Sequence, residues 1–295
     1  MPPIEGYVRK LQVACDALGI DRGRAKKYIR LMTDYRDGAR SGEHLLAVNE
    51  STEVCDIYDH WESHLENFPG LRHKIVQSLQ KGPILREHED PGKSTNRPRN
   101  TSFVFLLSGL FLTRGLNVVC VEGLRRAGVD CHTDGDFTCR WQHRLVDIQA
   151  KRPQSLARLD ERVKQAVSQI ETTGRPDQLG IVAVDCSAVM RPAFKVLEDT
   201  TAASAFDRIQ KELRGRFAPR VQAHITPQTC GYVLVARVPT RVQEESRILG
   251  PSGSPFVYVT PFSVSCCIAV ENDDCVDGHC AAALIRPLES PPTSS

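Results

Sequence analysis

The sequence is short of most features that would take it out of an aqueous compartment. Charge of one sign is absent. The formal balance is +2 at pH 7, so any nucleic-acid surface has to be a local basic patch and not a property of the whole molecule. None of the 11 cysteines belongs to a Cys-X-X-Cys pair, which removes paired zinc knuckles and leaves reduced, mostly buried thiols as the expectation. Met1 leads into Pro-Pro-Ile-Glu-Gly with no basic start and apolar run, so no secretory signal is read. The most apolar window, 103–121, contains Arg114, Asn117 and two glycines. It is expected as a buried core element, not a membrane span. These absences together predict a cytoplasmic protein with no membrane partner.

What is present fits a soluble globular fold. Hydrophobic residues make up 41% and charged residues 25% of 295 positions, enough for one sizeable core with a smaller helical part beside it.

The most informative stretch runs from Asp134 to Pro153. In an extended segment side chains alternate between faces, so Val146, Ile148 and Ala150 are expected on one apolar face, with Asp147, Gln149 and Lys151 on the other. Asp134 and Asp136 are also two apart on the preceding arm, and the polar run Arg140 to Arg144 suits the turn of a hairpin. An acid on one arm then faces Gln149 and Lys151 on the other. Such a layout can hold a divalent cation through a carboxylate and a second oxygen ligand, while the lysine orients or activates an attacking water.

Asp136, a spacer, and Gln149-Ala150-Lys151 followed by Arg152-Pro153 resemble the PD-(D/E)XK nuclease superfamily, the restriction-endonuclease-like fold. The resemblance covers roughly residues 98 to 190. It implies an α/β, restriction-endonuclease-like mixed sheet flanked by helices, with 1–95 as an N-terminal helical region, 96–287 as the core and 288–295 as a disordered tail. It further implies a nuclease hydrolysing phosphodiester bonds, most naturally in DNA, with Mg²⁺ or Mn²⁺ held by Asp136 and Gln149 with help from Asp134, and a homodimer as a plausible assembly. Arg152 would contact backbone phosphates. Two departures stand out. The usual second acid is Gln149, and the acid of the first helix is missing, because counting back from Gly128 gives Asn117 and from Gly115 gives Val104. The alignment ending at Gly128 is preferred, with Leu124 to Gly128 as a helix end, and Glu122 is the substitute acid. The alternative is a nuclease fold that has lost catalysis and serves as a nucleic-acid or protein binding module.

Around this stretch the chain reads as follows. Val8, Leu11, Ala14 and Leu18 recur at helical spacing up to Gly19, and the basic run 22–30 is expected as a solvated helix face. Val54, Ile57, Trp61 and Leu65, then Leu71, Ile75, Val76 and Leu79, are packing stripes. The aperiodic run 87–100 is the expected boundary, with Arg97 and Arg99 in a linker. Ser155 should cap an amphipathic helix carrying Leu159, Val163, Val167 and Ile170, and Leu179 to Asp185 is an apolar run suited to a strand buried on both faces. Residues 203–217 predict a helix, and 232–238 and 256–264 predict antiparallel edge strands. Cys266, Cys267, Cys275, Cys280 and His279 are weighed as a metal cluster and set aside for want of paired spacing. His132 and His143 are expected as turn or surface histidines, and Ser187 as unactivated.

Overall fold

The computed structural model describes residues 4–37, 42–85, 97–129, 135–172, 179–190, 196–249 and 255–289. Four helices open the chain, α1 (Ile4–Leu18), α2 (Arg24–Arg36), α3 (Gly42–Trp61) and α4 (Leu71–Gln80). A long buried helix α5 (Arg97–Thr113) then leads into β1 (Val118–Val121), β2 (Leu124–Arg125), β3 (Phe137–Trp141) and β4 (Arg144–Lys151). Next come α6 (Leu156–Thr172), β5 (Leu179–Asp185), the single turn α7 (Ser187–Met190), β6 (Leu197–Asp199), α8 (Ala202–Glu212) and α9 (Ala218–Gln222). Two long strands, β7 (Thr229–Leu249) and β8 (Pro255–Glu271), precede α10 (Gly278–Glu289).

The fold is α/β, with an eight-stranded open mixed sheet of order β2-β1-β3-β4-β5-β7-β6 and β8 paired to β7. β3 runs antiparallel to both β1 and β4, β4 pairs parallel with β5, and β5 pairs parallel with β7. Because neighbouring residues of a strand point to opposite faces, β5 feeds two separate cores. Ile181 and Ala183 pack beneath α1 to α5 and α10, while Val182 and Val184 pack beneath α6, α8 and α9. The N-terminal helices and the sheet therefore share one hydrophobic interior. One tight crossing in it is at Gly109 of α5, where a Cβ would meet His60 Cβ at 2.6 Å and the Trp61 indole nitrogen at 2.8 Å. That indole in turn donates to the Phe105 carbonyl at 2.7 Å.

Several expectations are met. α1 ends at Gly19 with φ +76°, and α6 and β5 occupy the predicted stretches. The 103–121 window divides into the end of α5 and all of β1, and no described helix is long and apolar enough to cross a membrane. Others need correction. Leu124 to Gly128 is not a helix end. Glu122 and Gly123 have φ of +47° and +73° and close a two-residue turn between Val121 and Leu124, the geometry that a tight hairpin requires. Of the β7–β8 pair only β8 is an edge strand, since β7 lies inside the sheet. The C-terminal tail starts later than expected, because α10 continues through Glu289 with Leu288 buried. The rest of that tail, and the boundary stretch 86–96, lie outside the described residues.

Candidate active site

β3 and β4 form the predicted hairpin, turning at Gln142 and His143. Val146 and Ile148 enter the core beneath the N-terminal helices, while Gln149 and Lys151 lie beside Val182 and Val184, whose side chains join the opposite core. Asp136 stands just before β3. Its N–H donates to the Ile148 carbonyl at 3.0 Å, and its carboxylate accepts the Ala150 N–H at 2.7 Å. The side chain thus takes over one rung of the ladder where β3 has not yet begun. Close approach at this point also requires Gly135, since a Cβ there would lie 2.9 Å from Asp147 Cβ.

Lys151 brings the remaining groups together. Its ammonium donates to Gln149 Oε1 at 3.1 Å and is 3.8 Å from Asp136 Oδ2. The three side chains meet across the two strands in a recess, not on an open surface. Asp136 is 34% exposed, Lys151 only 12% and Gln149 3%. Burial lowers the Lys151 pKa below the ordinary lysine range, with Asp136 opposing and Arg162 of α6 adding to the effect.

Glu122 reaches the same place from the tip of the β1–β2 turn. Its N–H donates to the Asp136 carbonyl at 2.8 Å, and its own carbonyl accepts Lys74 of α4. Burial raises the Glu122 carboxyl pKa above 4.5, and the Asp136 charge raises it further, against Lys74, Arg97 and a hydrogen bond with Thr101. A carboxyl held above its unfolded value gives most stability when protonated, and that contribution is lost as pH climbs upward from about 4.5. Glu122→Gln is therefore expected to melt at a higher temperature than the native protein at pH 8 and at the same temperature at pH 4. Equal melting temperatures at pH 8 would remove the burial argument.

Beside Glu122 opens a cleft of about 320 Å³ lined by Lys74, Lys81, Arg97 and Thr101. Three cations, Lys74 on α4, Lys81 at its C-terminal end and Arg97 at the start of α5, thus border the Glu122 carboxyl.

Some predicted roles move. Arg152 does not face outward for phosphate, since its guanidinium is 5% exposed and bonds Asp185 at 3.1 Å and Asn100 at 3.2 Å. Asp185 in turn accepts the N–H and hydroxyl of Ser187, whose oxygen accepts the Arg237 N–H at 2.9 Å. Arg237 bonds Glu53 at 3.2 Å, and Glu53 bonds Arg24 at 3.3 Å. A buried polar chain therefore runs from the residue after Lys151 into the N-terminal helices. Arg24 is not part of a solvated face, and Arg99 is not in a linker but bonds Glu50 at 2.5 Å inside the protein. Asp134 and His132 fall outside the described residues.

The donor set suits a hard divalent cation, being two carboxylates, Glu122 and Asp136, and the amide oxygen of Gln149. A cation there would offset the Asp136 charge, which adds to burial in raising Glu122. It would also compete with Lys151 for Gln149 Oε1. Among the described residues no three His, Cys, Asp or Glu side chains gather as a metal cluster. No family model, curated protein or solved structure matches the chain significantly.

Proposed function

We propose that this protein is a divalent-metal-dependent nuclease of restriction-endonuclease-like design that hydrolyses phosphodiester bonds in DNA. The observation that carries the reading is the meeting of Asp136 and Lys151 at 3.8 Å, with the Asp136 carboxylate locked to the Ala150 backbone between Gln149 and Lys151. Support also comes from the strand order, in which a buried helix, four strands in antiparallel pairings, a helix and a parallel buried strand follow one another around the acid and the lysine.

In this reading Asp136 and Gln149 hold the cation, with Glu122 beside them. Bound Mg²⁺ or Mn²⁺ would supply Lewis acidity and lower the pKa of an attacking water. Asp136 keeps its position through its backbone bond, and Lys151 places positive charge where negative charge grows on the scissile phosphate. Lys74, Lys81 and Arg97 receive neighbouring backbone phosphates, which fixes the substrate without reading its sequence. A homodimer would present two such sites to a duplex.

A second reading is favoured by one observation, the nearly complete burial of Gln149 with its oxygen already accepting a bond from Lys151. In that case the fold binds nucleic acid or protein without cutting. Plasmid nicking separates the two. Wild type is expected to cut with Mg²⁺ or Mn²⁺ and not with EDTA, and Asp136→Ala is expected to lose roughly a thousandfold of the rate. DNA retention that is equal in both proteins and independent of metal, without cutting, would support the binding module instead.

A further inference from the structure

The cleft beside Glu122 carries more positive charge than a passing backbone phosphate needs. Its walls come from α4, from the first turns of α5 and from the β1–β2 turn, and its volume of about 320 Å³ is at the small end of ligand sites. Lys74, Lys81 and Arg97 line it against a single carboxyl, Glu122, which leaves cations in excess. Lys81 and Arg97 are exposed, and among the described residues neither side chain forms an ion pair with a carboxylate. Cations gathered in one cleft without matching acids raise the local concentration of anions there.

The walls are held from inside. Arg24 donates to the Ser78 carbonyl at 2.9 Å and the Lys81 carbonyl at 3.1 Å at the end of α4, and to Ser102 Oγ of α5 at 2.5 Å. One buried guanidinium therefore ties together the two helices that carry the cations. From the β1–β2 turn, the Glu122 carbonyl accepts Lys74 of α4 and the Glu122 carboxyl hydrogen bonds with Thr101 of α5. A frame fixed in this way reduces the ordering that binding would otherwise cost.

We propose that this cleft takes the terminal phosphate of a nucleic-acid strand, so that ends, including those made by the protein's own cutting, are preferred over internal positions. The inference rests on the nuclease reading and adds to it the form of the substrate. A phosphomonoester carries about −1.5 to −2 charge at pH 7 and three acceptor oxygens, whereas each internal phosphodiester carries a single charge. Three cations converging on one small cleft match the monoester. Successive diesters would instead be met by cations spaced along a groove.

Placement agrees with this assignment. The Glu122 N–H donates to the Asp136 carbonyl at 2.8 Å, so the cleft adjoins the cutting centre through one residue. A strand anchored by its end among Lys74, Lys81 and Arg97 extends past Glu122 and brings one of its first bonds to Asp136 and Lys151. Hydrolysis of a diester leaves a monoester on one of the two new ends, and that end is the group the cleft holds.

Three forms of one single-stranded oligonucleotide, with a 5′-phosphate, a 3′-phosphate or hydroxyls at both ends, test the proposal by fluorescence anisotropy with the full-length protein in EDTA, where no cutting occurs. One phosphorylated form is expected to bind roughly tenfold more tightly than the hydroxyl form, the size of one charge-assisted hydrogen bond, and which form does so gives the polarity. Lys81→Gln combined with Arg97→Gln should bring that ratio close to one. Both side chains are exposed, so an unchanged melting temperature shows that the lost preference is not unfolding. Asp136→Ala should keep the ratio, because Asp136 does not line the cleft. Equal binding of all three forms overturns the proposal even where Mg²⁺ supports cutting, and so does a preference that the double substitution leaves intact. A preference that the double substitution abolishes, in a protein that never cuts, supports the cleft and counts against the nuclease reading alone.

Discussion

Lys151→Ala is expected to cut DNA roughly a hundred- to a thousandfold more slowly than wild type in single-turnover assays, the size of effect seen when one preorganised charge or donor is taken from a transition state. The ammonium lies between Gln149 and Asp136, 12% exposed, so it acts in a medium where each charge is worth more than in water. Lys151→Arg keeps the charge and should recover part of the rate, whereas alanine should not. The pH dependence follows from its burial. A lysine whose pKa is lowered from 10.5 loses its proton earlier than a surface lysine. Cleavage that depends on its charge must therefore decline as pH rises through the interval below 10.5, and the arginine variant should hold its rate there. Alanine within threefold of wild type, or arginine no better than alanine, would remove Lys151 from the chemistry.

The largest loss of stability is expected from Arg24→Met. Arg24 is 1% exposed and its guanidinium reaches five partners, the Lys81 and Ser78 carbonyls, Tyr28, Ser102 and Glu53. A methionine of similar length fills the space but leaves buried carbonyls and the Glu53 carboxylate short of donors. Breaking a buried ion pair from one side costs about 3 to 5 kcal/mol. Arg30→Met serves as the control, since Arg30 is 85% exposed and its contact with Asp34 is 3.9 Å, for which a change within about 0.5 kcal/mol is expected. Chemical denaturation monitored by tryptophan fluorescence gives both numbers. A loss under about 1 kcal/mol for Arg24→Met would show that the internal polar chain is replaceable.

The parts of the fold that local chemistry decides could be read from the sequence. Alternation placed Gln149 and Lys151 on one face of β4, the continuous apolar run gave β5 its bounds, and the spacing of Leu159, Val163, Val167 and Ile170 gave α6 its buried stripe. The 124–128 segment was misassigned because Gly128 resembles a helix terminus. The deciding signal was Glu122-Gly123, two residues that together accept positive φ between apolar neighbours. Reading that pair as a turn would have placed Glu122 beside Asp136 without any need for a helix acid. α10 gave little pattern, with alanines, a cysteine and an internal Pro287. The polar interior was invisible for a different reason. Arg24 finds Ser102 78 residues away and Arg237 finds Glu53 184 residues away, and no periodicity records such pairings.

That last separation has a consequence for the order in which the molecule can be completed. Glu53 receives one cation from 29 residues upstream and another from 184 residues downstream. During synthesis from the N-terminus, Glu53 has only its Arg24 partner until β7 leaves the ribosome, so a chain halted before β7 lacks one of the two cations that hold that buried carboxylate.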